Sequence, residues 1–178
     1  MRINILMLSA VLIAFILTDG FYDLQFSTIE GSSRQTSEFQ GKKIVIVILP
    51  TSQQSADVPY LQRLDSLSRA NTEIVMIGVP SYQDGFNDND SESLRTWYRE
   101  TLGTQFIITA GMNTHKSAGN DQHSIFKWLT NKDQNLHFDE DVTGTGQQFF
   151  VSENGTLSGV AVPAVKMSNK LFTMMMQQ

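Results

Sequence analysis

The sequence predicts an α/β fold: a mixed central β-sheet flanked by helices, with an N-terminal β-hairpin. Residues 43–49, KIVIVIL, are an uninterrupted apolar run after Lys43, of the kind found in strands covered on both faces. Leu61, Leu64 and Leu67 follow at helical spacing, and a second buried strand over 73–79 completes a strand–helix–strand crossover. Near the other end, residues 147–151 and 157–162 flank Asn154-Gly155, a strong two-residue hairpin signal that adds an antiparallel pair.

The elements follow in order. Residues 21–26 alternate like a strand, and the turn in "TIEGS" is placed by Gly31. The run 43–49 is the first core strand, 59–70 a helix, and 73–79 a second buried strand closed by Pro80. In the polar stretch "SYQDGFNDNDSES", Ser91 or Ser93 is expected to cap a helix that runs through Leu102. A short strand is expected over 106–109 and a helix over 121–130, with Ile125, Trp128 and Leu129 on one face. The two hairpin strands come next, and 167–176 can form a closing helix. A parallel crossover combined with an antiparallel hairpin points to a thioredoxin-like α/β sandwich. Its core is expected at Val45, Ile46, Val47, Ile48, Val75, Ile77, Phe149 and Val151.

The length of 178 residues suits one domain over 21–178 behind a leader over 1–20. Arg2 and the apolar run 5–17 read as a signal peptide, because a spanning helix needs ~20 apolar residues. Thr18 and Gly20 are small residues at the spacing a signal peptidase reads, so the expectation is export to a periplasm, cell envelope or exterior. An uncleaved N-terminal anchor is the alternative, and membrane contact is expected through that segment alone. Only 17% of residues are charged and the net charge is −5, which argues against a nucleic-acid partner. The chain has no cysteine, which excludes disulfides, thiolate metal ligands and thiol redox chemistry.

Other chemistry-bearing patterns are sparse. Asp84, Asp88, Asp90 and Glu92 alternate in one loop without the spacing or central glycine of a calcium-binding hand, and read as a solvated acidic loop. His115, His123 and His137 lack paired zinc-ligand spacing, so no metal and no cofactor is expected. There is no nucleophile elbow and no glycine-rich phosphate loop. Thr51, Ser52, Gln53 and Gln54 stand at a helix start, either as an ordinary capped turn or as a small-anion cradle of free N–H groups.

Several stretches together resemble the glutathione peroxidase family. "FYDLQFSTIEGSSRQTSEFQGKKIVIVI" is similar to that family's opening hairpin and first core strand, and "IGVPSYQDG" to its "GFPCNQFG". "LGTQF", "HSIFKWL" and "QQFFVSENGTL" fall in order where the family has "YGVTFP", "HPLYKFL" and "TKFLVDRDGKV". The resemblance spans nearly the whole chain after the leader. It implies a site made of a peroxidatic cysteine or selenocysteine, a glutamine, a tryptophan and an asparagine. Here those positions hold Gln53, Gln83, Gly144 and Thr145, so the glutamine alone is kept.

An amide cannot ionise like a thiolate or cycle through a sulfenic acid, so the family's mechanism is blocked at Gln53. Gly144 cannot replace an indole N–H donor, and Gln83 without its partners reads as a loop-closing residue. The expected function is a binding or scaffold module, with Thr51, Ser52 and Gln54 as binding residues and a small polar ligand or a protein as partner. The alternative is an oxidoreductase of the oxidative-stress response that uses a non-thiol route. A cysteine placed at 53 is expected to be activated if only the reactive residue is missing.

Overall fold

The computed structural model describes residues 20–163. The leader before Gly20 and the helix expected over 167–176 lie outside the described residues. A small antiparallel hairpin, β1 (Gln25–Ser27) and β2 (Ser33–Gln35), precedes a sheet of β3 (Lys43–Leu49), β4 (Ile74–Pro80), β5 (Ile107–Ile108), β6 (Gln148–Val151) and β7 (Leu157–Ala161). The order is β5-β4-β3-β6-β7. Strands β3, β4 and β5 are parallel, while β6 runs antiparallel to both β3 and β7. This is the mixed sheet that the crossover and hairpin signals predict.

Strand β3 is central because every residue from Ile44 to Leu49 has an apolar layer to enter. Val45, Val47 and Leu49 pack with Leu61, Leu64 and Leu67 of helix α1 (Val58–Ala70) and with Leu94, Tyr98 and Leu102 of α2 (Ser91–Leu102). Ile44, Ile46 and Ile48 pack in the opposite layer with Phe126, Trp128 and Leu129 of α3 (Ser124–Thr130), beside Phe149. Burial of each such side chain stabilises the fold by roughly 1.5–3 kcal/mol. Of the residues expected at the core, all but the half-buried Val75 are buried. The β6–β7 hairpin turns where Asn154-Gly155 predicts, with Gly155 at φ +76 and Ser152 N donating to Thr156 O at 2.9 Å.

Three boundaries differ from expectation. Residues Phe21–Asp23 form a turn of 3-10 helix rather than the start of a strand. The Thr36 hydroxyl lies 2.5 Å from Phe21 O and 2.9 Å from Leu24 O, which ties this turn to the end of β2. Neither Ser91 nor Ser93 caps α2; Asp90 holds the cap position, and Ser93 Oγ donates back to Asp90 O at 2.9 Å. The helix expected from residue 121 begins at Ser124, because His123 Nδ1 accepts the Ile125 N–H at 3.3 Å and caps it. A short α4 (Lys132–Asn135) follows.

Since β3, β4 and β5 are parallel and β6 opposes them, the loops leaving the first three and the loop entering β6 meet at one end of the sheet. Ligand sites of open α/β sheets form at the carboxyl ends of their strands.

Candidate functional site

The turn after β3 carries four of the predicted site residues, Thr51, Ser52, Gln53 and Gln54, the first three of which bond through their side chains to the loop after β4, within the turn and to α2. Thr51 Oγ1 donates to Asp84 O at 2.8 Å, and Ser52 Oγ donates to Asp57 Oδ2 at 2.8 Å. Gln53 adopts φ +54, a left-handed conformation that costs a non-glycine residue about 1–2 kcal/mol. Its Nε2 donates to Ser93 Oγ of α2 at 3.0 Å. Exposed Gln54 opens the 3-10 turn Ser55–Asp57, which runs directly into α1, and its carbonyl accepts Asp57 N at 3.0 Å. Asp57 thereby puts a carboxylate in the first turn, where free N–H groups favour negative charge.

The turn after β4 supplies Gln83 and Asp84. Gln83 Oε1 accepts Thr114 N at 2.8 Å while its Nε2 donates to Asn113 Oδ1 at 2.8 Å, so it clamps the loops after β4 and β5 together. Asp84 Oδ2 lies 3.4 Å from His115 Nε2, and the two side chains are only 14% and 22% exposed. Gly144, from the loop entering β6, has φ +120, and a Cβ there would sit 3.1 Å from Asp84 Oδ1. The carboxylate can approach because that position lacks a side chain. Buried Gln147 braces the same loop by accepting from Thr143 N at 2.5 Å and Thr143 Oγ1 at 3.0 Å. Thr145 is exposed on it.

Four loops therefore meet at Asp84: Thr51, His115 and Gly144 each touch it or its backbone. Gln53 and Gln83 lie on two of these loops, but their side chains bond to Ser93 and to Asn113 and Thr114, and not to each other. The pair of Asp84 with His115 is what sequence reading misses. The two residues are 31 positions apart on separate loops, and no local spacing links them. The one available signal is that Asp84 directly follows the retained Gln83.

The remaining candidates have structural roles. Burial, and then the charge of Lys127, push the His123 imidazole below its ordinary pKa, consistent with a neutral cap. Tyr82 donates to Asp88 Oδ1 at 2.8 Å in the acidic loop. Desolvation first, and then that bond, raise its pKa to about 12, so it remains a phenol at neutral pH. Among the described residues no three carboxylate or imidazole groups gather as a metal cluster, and no helix is long and apolar enough to cross a membrane. A hollow of about 480 Å³ lies elsewhere, between Glu30 and α2. Its arginines are committed: Arg99 to Glu30, Gly103 O and Phe106 O, and Arg95 to Glu92.

No family model matches this sequence, and no curated protein matches it. Solved structures do match its shape. Trgpx in its apo form superposes with a TM-score of 0.62 at 16% identity, over 88% of this chain and 96% of that one. T. cruzi GPX1 gives 0.63 at 12% identity, over 89% and 95%. The fold is thioredoxin-like. Within that fold, the Xanthomonas campestris bacterioferritin comigratory protein, studied for its alkyl peroxide reduction activity, gives 0.53 at 15% identity over 89% and 94%. At such identities the likeness is one of architecture. It places the loops around Asp84 on a thioredoxin-like scaffold and leaves their chemistry to be argued from the residues present.

Proposed function

We propose that this chain is an exported protein of glutathione-peroxidase type that lacks thiol peroxidase activity and acts as a binding module. Its site is the loop cluster around Thr51, Asp84, His115 and Gly144. One observation carries the reading: the peroxidatic position implied by the resemblance holds Gln53, whose amide donates one N–H to Ser93. No sulfur nucleophile can replace it in a chain with no cysteine. The carbonyl and N–H₂ of Gln83 are likewise engaged, in closing the loop after β5.

Peroxide consumption by the purified protein tests this proposal. With hydrogen peroxide or an organic hydroperoxide and glutathione or thioredoxin as reductant, the expected rate equals the protein-free background. Saturable turnover that disappears in Gln83→Ala would replace the binding reading with a non-thiol oxidoreductase.

A further inference from the structure

The binding reading can be taken one step further by asking what hydrogen-bonding capacity the loop cluster leaves unused. A hydroxyl has one proton to give and two lone pairs with which to accept. Thr51 gives its proton to Asp84 O, Ser52 to Asp57 Oδ2, Tyr82 to Asp88 Oδ1 and Ser93 to Asp90 O, all at 2.8–2.9 Å. Every hydroxyl on this list can therefore offer an incoming molecule only an acceptor. Each of the two glutamine amides also has one of its N–H hydrogens engaged, Gln53 on Ser93 and Gln83 on Asn113.

Asp84 is the centre of this arrangement. Its Oδ2 faces His115 Nε2 at 3.4 Å, which is long for a hydrogen bond between such groups. Its Oδ1 lies 3.1 Å from where a Cβ at Gly144 would stand, and no described residue donates a hydrogen bond to it. A carboxylate only 14% exposed, with one oxygen unclaimed, is strongly complementary to a positively charged donor. It is correspondingly hostile to an anion.

We propose that the ligand of this site is a cationic hydrogen-bond donor, a guanidinium or protonated amine, seated on Asp84 through the gap at Gly144. Thr51 Oγ1 accepts a second hydrogen bond from the same group. The proposal rests on the binding reading above and reverses the ligand charge that an anion cradle at residues 51–54 would select.

The test uses methylguanidinium chloride as the cationic probe, and reduced glutathione and inorganic phosphate as anionic probes, at constant ionic strength. Backbone amide NMR resonances of Asp84, Gly85, His115 and Gly144 are followed during titration. Methylguanidinium is expected to move them saturably, and the anions to leave them unmoved. Asp84→Asn should weaken the methylguanidinium response by about tenfold or more, the scale of a hydrogen bond to a charged group. His115→Ala should tighten it, because Oδ2 is released; this second variant decides the matter even if the first fails to fold. Saturation of these amides by glutathione or phosphate alone would overturn the ligand class and leave a binding module standing. An unchanged response in a folded Asp84→Asn protein, or an unchanged or weakened one in a folded His115→Ala protein, would remove Asp84 from the role. No response to any of the three probes would sink both the ligand class and the binding reading.

Discussion

At position 53 a glutamine holds φ +54 and gives its side chain to Ser93, and two residues further on a helical turn begins. A helix N-terminus lowers a thiol pKa below the free value of ~8.5, which is why a cysteine introduced here is expected from sequence to be reactive. The carboxylate of Asp57, which accepts the Ser52 hydroxyl in the same first turn, opposes that effect. In Gln53→Cys, alkylation rate measured against pH should give a thiol pKa at or above ~8.5, and adding Asp57→Asn should lower it. A strongly depressed value in the single variant would show that the Asp57 charge does not control the turn. Rebuilding the family's tryptophan is opposed on separate grounds. At φ +120 and 3.1 Å from Asp84 Oδ1, Gly144→Trp should cost about 1–3 kcal/mol in denaturant titration. His123 supplies a pH prediction. Burial lowers its pKa, so the unfolded chain binds the proton more readily. Its contribution is complete above the unfolded pKa of ~6.5 and is lost as pH falls through the lower folded value. Protonation also removes the Nδ1 acceptor that caps α3. Urea midpoints should fall between pH 7 and 5 by less in His123→Asn, which keeps a capping oxygen, than in the parent; equal slopes would assign the decline to other groups.

At the scale of elements, β3 carries the fold because its alternate residues enter both apolar layers. Ile46 faces the α3 layer, and Phe149 of β6 is its register partner across the antiparallel ladder. Ile46→Ala and Phe149→Ala should each destabilise the protein by about 2–5 kcal/mol, the range for large-to-small core substitutions. Val75→Ala should cost less, because Val75 is only half-buried near the start of β4. Denaturant titrations ranking Val75 above the other two would mean that the layers are not centred on β3. The strands were legible in the sequence for the same reason that they are stable. Residues 44–49 are apolar without interruption, and that pattern needs cover on both faces. Helix ends were less legible. Ser91 and His123 show why: a polar side chain near a boundary can cap, back-bond or join the helix, and the choice depends on the preceding backbone.

At the scale of the whole molecule, the apolar run 5–17 and the small residues Thr18 and Gly20 lead to the prediction that mature protein begins near Phe21. N-terminal sequencing of protein from the cell envelope or medium checks it. An intact Met1 in a membrane fraction would favour the anchor, and an intact Met1 in the cytoplasm would end the export proposal. Within the described residues, the sequence by itself determined the mixed sheet, the order of its elements and the absence of thiol chemistry. Each of these depends on residue type or on local periodicity, which a linear string contains in full. Only the tertiary structure decided that Asp84 is the meeting point of four loops, that His115 is its partner, and that Gly144 leaves the gap beside it. Those relations join residues 31 to 60 positions apart. They arise because parallel strands and an opposing fourth deliver their loops to the same end of one sheet, a convergence that no local pattern encodes.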